Sequence, residues 1–238
     1  MMYLSRIPLN PARRDTAKLI TSPHATHGAV MKSFPPEALE QHTGDGRVLW
    51  RMDRVGHAIH LYVVSPIEPD FTHVVEQAGW PTTTAWVTRK YGELLDILQP
   101  GQSWHFRLTA NPVRGVPKPF PTSTAAQGAT VGKGRGAPRG LNSAQQLDWF
   151  HRQASRYGFI TCECGPNDDR QPDVAIVDRH TARFRRGNGT ANNVTLSMAT
   201  FEGTLIVTDA TLLKSALING IGRGKGYGCG LLTLAAVG

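Results

Sequence analysis

The sequence predicts an α+β fold of two tandem ferredoxin-like units, the β-α-β-β-α-β arrangement also found in RNA-recognition motifs. Three observations lead there. The chain has 238 residues, more than one average domain. Its apolar content of 40% is enough to bury a core or two and argues against wholesale disorder. Strand-like and helix-like runs follow one order up to Pro100-Gly101 and repeat it with insertions afterwards, giving units 1–99 and 100–238. The repeat is one of pattern, not of residue identity.

In the first unit, residues 3–9 read as a strand stopped by Asn10-Pro11. A helix is predicted over 22–34: Ser22 can cap it, Pro23 sits where a first-turn proline is tolerated, and Pro35-Pro36 ends it. Residues 47–53 and 57–64 read as two strands joined by a tight turn, and 72–78 as a second helix. Residues 85–98 supply a last strand or two.

The second unit opens with an alternating strand, 104–110, stopped by Asn111-Pro112. From 115 to 142 there is no acidic residue, while Lys118, Lys133, Arg135 and Arg139 sit among glycines and prolines, so a mobile basic loop is expected. Residues 143–157 form the strongest helix pattern, with Leu147, Phe150 and Ala154 on one face. A hairpin over about 174–209 is expected to turn at Gly187-Asn188-Gly189. A helix over 210–218 and a strand over 231–237 complete the unit.

Lys plus Arg number 26 against 18 acids, a net charge of +8, which favours an anionic partner, nucleic acid above all. Three cysteines, Cys162, Cys164 and Cys229, lack the even count and spacing of a disulfide framework or a zinc knuckle, so a reducing compartment is expected. The opening residues lack the apolar stretch of a signal peptide, and no run approaches the roughly 18 apolar residues of a membrane span. A cytoplasmic protein without a membrane partner follows as the expectation.

Glycine fills every second position from Gly220 to Gly230, with Ile221, Arg223, Lys225, Tyr227 and Cys229 between. A dinucleotide fingerprint needs glycines at i, i+2 and i+5, which an every-second ladder never supplies. A P-loop needs Gly where Asn219 stands and a hydroxyl where Gly226 stands. Nucleotide-dependent chemistry is thereby disfavoured, and no cofactor is expected. What remains is a backbone poor in side chains and carrying two cations, able to approach a phosphate chain closely. A helix C-cap turning into the last strand is the plainer alternative.

His24 and His27 lie three apart, on one face of the 22–34 helix and near its positive end, with Lys32 further along. RNA cleavage by the adjacent 2′-hydroxyl needs a group to take that proton, a group to protonate the 5′-oxygen and a cation for the crowded phosphate. Imidazole can serve either proton step near neutrality, and the nucleophile comes from the substrate, so no metal is required. Ordinary helical histidines, and a His-x-x-His metal pair without acidic or cysteine partners, stay open on the residues alone. A two-histidine phosphoesterase is excluded, because His24-Ala25-Thr26 has no second His-x-Thr/Ser copy.

The opening Met2-Tyr3-Leu4-Ser5-Arg6, Leu49-Trp50-Arg51, the run from Phe106 to Pro112, Phe201-Glu202-Gly203 and the ladder running into Gly228-Cys229-Gly230-Leu231-Leu232 resemble the CasE family. These are the CRISPR RNA-processing subunits of the type I-E Cascade complex. The resemblance implies a metal-independent endoribonuclease that cuts CRISPR precursor RNA beside the repeat hairpin. It would leave 5′-hydroxyl and 2′,3′-cyclic phosphate ends and keep hold of the product among the other Cascade subunits. It places the catalytic histidine at His27, puts His24 where the family usually has a tyrosine, and matches Lys32 to a lysine of some relatives. It assigns RNA binding to Arg183, Arg185 and Arg186 of the basic hairpin, and to Arg223 and Lys225 of the ladder. The departure at His24 leaves a non-catalytic hairpin-binding subunit as the alternative.

Overall fold

A computed structural model describes residues 1–42, 44–115, 138–166, 170–185 and 193–238. The first unit holds β1 (Tyr3–Leu9), α1 (Arg14–Thr21), α2 (Pro23–Met31), α3 (Pro36–Glu40), β2 (Leu49–Val55), β3 (Ala58–Ser65), α4 (Thr72–Ala78), β4 (Val87–Lys90) and α5 (Gly92–Ile97). Its sheet has the order β2-β3-β1-β4, with every pairing antiparallel, which is the ferredoxin-like order.

The second unit holds β5 (Ser103–Ala110), β6 (Val113–Gly115), β7 (Pro138–Gly140), α6 (Ser143–Arg156), β8 (Phe159–Thr161), β9 (Glu163–Cys164) and β10 (Gln171–Pro172). It continues through β11 (Val174–Arg185), β12 (Asn193–Val207), α7 (Ala210–Asn219), a 3-10 turn at Lys225–Tyr227 and β13 (Leu232–Ala236). The order β11-β12-β5-β13 is the same topology again, with β8 also paired to β12. β8 takes Val207 to Leu205 of β12, and β11 takes Gly203 onwards, so the second strand of the unit is split by the small β9–β10 hairpin.

Three sequence expectations differ from the structure. Residues 85–98 make one strand and a helix, because Leu94 and Leu95 turn inward onto the second unit's core. The helix over 22–34 ends at Met31, where the Lys32 N–H caps it on the Gly28 and Val30 carbonyls. A further helix, α1, precedes it. That segment is polar, and tertiary bonds hold it: Thr16 Oγ1 donates to Ala78 O at 2.8 Å, and Thr26 Oγ1 to Leu19 O at 2.7 Å. Most of the basic segment 115–142, Arg186 and the Gly187-Asn188-Gly189 turn lie outside the described residues. Among the described residues no helix is long and apolar enough to cross a membrane.

Two large apolar clusters organise the molecule, and a third, smaller one gathers Leu196, Met198 and Cys229. One lies within the first unit, around Ile7, Val30, Leu61, Phe71 and Val74. The larger draws Leu49, Val64 and Tyr91 of the first unit into the core of Phe106, Phe150, Phe201 and Leu213. Arg51, only 2% exposed, joins the sheets: Nη1 donates to Arg107 O (2.7 Å) and Leu231 O (2.9 Å), and Nη2 to Thr233 Oγ1 (2.8 Å). Its remaining N–H groups bind the Asp53 carboxylate at 2.7 and 2.8 Å, so the buried charge is paired and all its bonding directions are used.

Candidate active site

Helix α2 positions the two histidines. Ser22 Oγ accepts from Ala25 N at 3.2 Å, Pro23 occupies the first turn, and Thr26 and Val30 are buried as the anchoring face. His24 and His27 then leave the opposite side, His24 exposed and His27 half-buried. Lys32 lines a cavity of about 200 Å³ with Asp15, Lys18 and His73, on the face of α2 that carries Ala25 and Ala29. His24 and His27 are thus brought together, and Lys32 lines a cavity whose walls include neither of them.

The glycine ladder closes over His27 from the second unit. It begins as a helix C-cap, with Gly220 N donating to Ala216 O at 2.8 Å, so the plainer sequence alternative describes its first step. Gly224 (φ 80°) and Gly228 (φ 83°) flank the 3-10 turn in the left-handed region. A Cβ at Gly228 would stand 2.7 Å from the Trp50 ring. Between them Gly226 lies over the imidazole, where a Cβ would be 3.7 Å from His27 Cε1. Tyr227 meets His27 edge-on, with ring centroids 6.3 Å apart, and leans on Phe184 of β11 at 4.8 Å. Beside Tyr227 a groove of about 630 Å³ runs between the units, with Trp50 and Met52 on one wall and Met198 and Thr200 on the other.

The imidazole is electrically unusual. His27 Nδ1 is buried without a hydrogen-bond partner. Burial, then the neighbouring charges of His24 and Arg47, hold its pKa below the ordinary histidine value. Such a ring favours its neutral form, because the cation would carry a second N–H with no acceptor. Lys225 is partly spent on structure: Nζ donates to Asn219 O at 2.6 Å, and burial followed by Arg47 lowers its pKa.

Arg47, Tyr227 and Phe184 were not picked out by the sequence. A single arginine ahead of a strand, and aromatics within a ladder and a hairpin, carry no local pattern; only the docking of the two units gathers them. Arg223 is exposed on the ladder. Arg183 and Arg185 are exposed on β11 and alternate with the inward Ala182 and Phe184. They share their side of the strand with Arg179, which donates to Ser143 Oγ at 2.7 Å at the start of α6. The hairpin therefore offers two faces, aromatic toward His27 and basic away from it. Among the described residues no three His, Cys, Asp or Glu side chains gather as a metal-ligand set.

Residues 2–236 match the family described as "CRISPR associated protein". Cse3 of Thermus thermophilus, a CRISPR-associated endoribonuclease, is 28% identical over 239 residues, covering 98% of this chain and 100% of that protein. CasE of Escherichia coli, a subunit of the CRISPR system Cascade, is 30% identical over 172 residues, 70% of this chain and 76% of that protein. A structure of Thermus thermophilus Cse3 bound to an RNA representing a pre-cleavage complex matches with a TM-score of 0.73 at 26% identity, covering 98% of each chain. The family match over nearly the whole chain and these relatives agree: the chain belongs to the CasE (Cse3) family of CRISPR-associated proteins.

Proposed function

We propose that the protein is an endoribonuclease that processes CRISPR precursor RNA, cutting beside the repeat hairpin without a metal ion and holding the product for assembly with other Cascade subunits. The observation that carries the chemistry is the His27 imidazole, depressed in pKa and pressed between α2 and the ladder. A neutral imidazole is the form that accepts a proton. In this reading His27 takes the proton of the 2′-hydroxyl as its oxygen attacks the adjacent phosphorus. The 2′-O–P bond forms, the P–O5′ bond breaks, and a cyclic phosphate remains. His24, the second imidazole on that face, delivers the proton to the departing 5′-oxygen; a protonated His24 also helps keep its neighbour neutral.

The relatives support the substrate class. Cse3 is named a CRISPR-associated endoribonuclease and has been solved with RNA, and CasE is named a Cascade subunit. Arg183 and Arg185 suit the phosphates of an A-form stem, whose deep major groove hides the base edges; Arg186 would extend that row, and Arg223 would meet the strand near the cut. Lys32 serves the flanking backbone in this reading, because α2 turns it away from His27. The chain divides functionally near residue 99, the first unit supplying the imidazoles and the second the cover and the grip.

The test is single-turnover cleavage of the cognate repeat RNA with chelator present. The wild type is expected to cut, and His27→Ala to lose roughly 10²-fold or more while hairpin affinity survives. Cleavage that stops with EDTA, or a His27→Ala protein of full activity, would refute the mechanism. Intact RNA with the wild type would leave a passive hairpin binder.

A further inference from the structure

If His27 works as a base on a phosphodiester, the extra negative charge on the phosphorus oxygens needs a cation within the same site. Four cations lie on the elements around it, and the structure separates them. Lys32 lies on another face of α2, beside Lys18 and His73. Lys225 has its ammonium bound to Asn219 O at 2.6 Å. Arg223 is exposed on the ladder, one residue before the Gly224 bend that carries the chain onto His27. Arg47 is the fourth.

The backbone of Arg47 is fixed where the units meet. Its N–H donates to Ile218 O at 3.1 Å, at the end of α7, one residue before the carbonyl that holds Lys225. Leu49, two residues on, packs against Gly220, where a Cβ would lie 2.9 Å from Leu49 Cδ2. The next strand residue, Trp50, packs against Gly228. The start of β2 thus lies along the ladder from Gly220 to Gly228, and His27 lies against Gly226 in that span. Among the described residues the Arg47 side chain has no carboxylate partner and is exposed, whereas Arg51 and Arg107 are both paired. The charge of Arg47 bears on both the His27 ring and the Lys225 ammonium, in keeping with the course of β2 along the ladder.

From this arrangement we infer that Arg47 is a further catalytic residue, its guanidinium contacting the non-bridging oxygens of the scissile phosphate beside His27. An unpaired guanidinium presents a planar fork suited to two phosphate oxygens at once. Its position also resolves a conflict. A cation beside a general base lowers the base's pKa in the free protein, and the arriving phosphate neutralises that cation as it is bound. The imidazole therefore becomes a stronger base when substrate is present. The inference rests on the endoribonuclease reading above and deepens it.

The experiment measures single-turnover cleavage of cognate repeat RNA across pH, together with hairpin affinity, for the wild type, Arg47→Ala and Arg47→Lys. Arg47→Ala is expected to cut about 10²-fold more slowly with affinity within about 3-fold. Arg47→Lys should recover part of that rate, since charge returns without the fork. In the free enzyme burial, then His24 and Arg47, hold the His27 pKa down, so the acid limb of the rate profile at low RNA should move to higher pH in Arg47→Ala. Arg47→Ala cutting at the wild-type rate, or losing rate only through lost affinity, would overturn the assignment while leaving the endoribonuclease reading intact. A wild type that leaves the RNA whole would bring down both.

Discussion

Two of the contacts between the halves of this molecule are opposites. At Arg51 the contact is saturated: five bonds run from one guanidinium to Asp53, two carbonyls and Thr233, all inside the protein. At His27 the contact is left incomplete. Nδ1 is buried without a partner, Gly226 withholds a side chain, and Arg47, whose charge bears on the ring, has no carboxylate partner among the described residues. Arg47 and Arg51 are four residues apart at one strand, yet one spends its charge on holding the sheets together and the other keeps it available. A buried polar group normally finds a bond, so a seam that leaves His27 Nδ1 unmet between two well-packed units is arranged for something that arrives later.

Breaking the saturated seam should produce the largest structural effect. Arg51→Ala leaves Asp53 buried with only the 3.5 Å approach of Arg107, and is expected to cost about 3–5 kcal/mol in denaturant unfolding. The protein that remains folded should still cut RNA within a few-fold of the wild-type rate. A loss below about 1 kcal/mol would mean that the apolar contacts of Leu49, Val64 and Tyr91 join the units without the clasp.

A smaller effect separates grip from chemistry. The basic face of β11 points away from His27, so Arg183→Ala with Arg185→Ala should weaken hairpin binding and reduce the salt slope by about 1 per arginine removed. Cleavage at saturating RNA should be unchanged. An unaltered slope would move the RNA stem to another surface.

Much of the fold was legible in the sequence because its signals are local. The strand from Tyr3 to Leu9, the helix from Thr72 to Ala78 and the helix beginning at Ser143 have the bounds that alternation, caps and periodicity indicate. α1 was illegible because its stability comes from Thr16 and Thr26 bonding across the chain, and the split second strand because β8 and β11 reveal their common partner only once β12 is in place. The site divides the same way. His24 and His27 announce themselves by spacing, and the ladder by its glycines, but neither says that one covers the other. Arg47 has no signal at all until α7 and β2 are brought side by side.

The proposed cleavage turns on the substrate's own hydroxyl making the attack. The most direct check is a repeat RNA carrying a single 2′-deoxyribose immediately upstream of the cut site, incubated in excess protein. It should bind as the all-ribose strand does and stay whole through many half-lives of the normal reaction. Scission of that strand at the usual position would show that some other oxygen attacks, and the role given to His27 would fall with it.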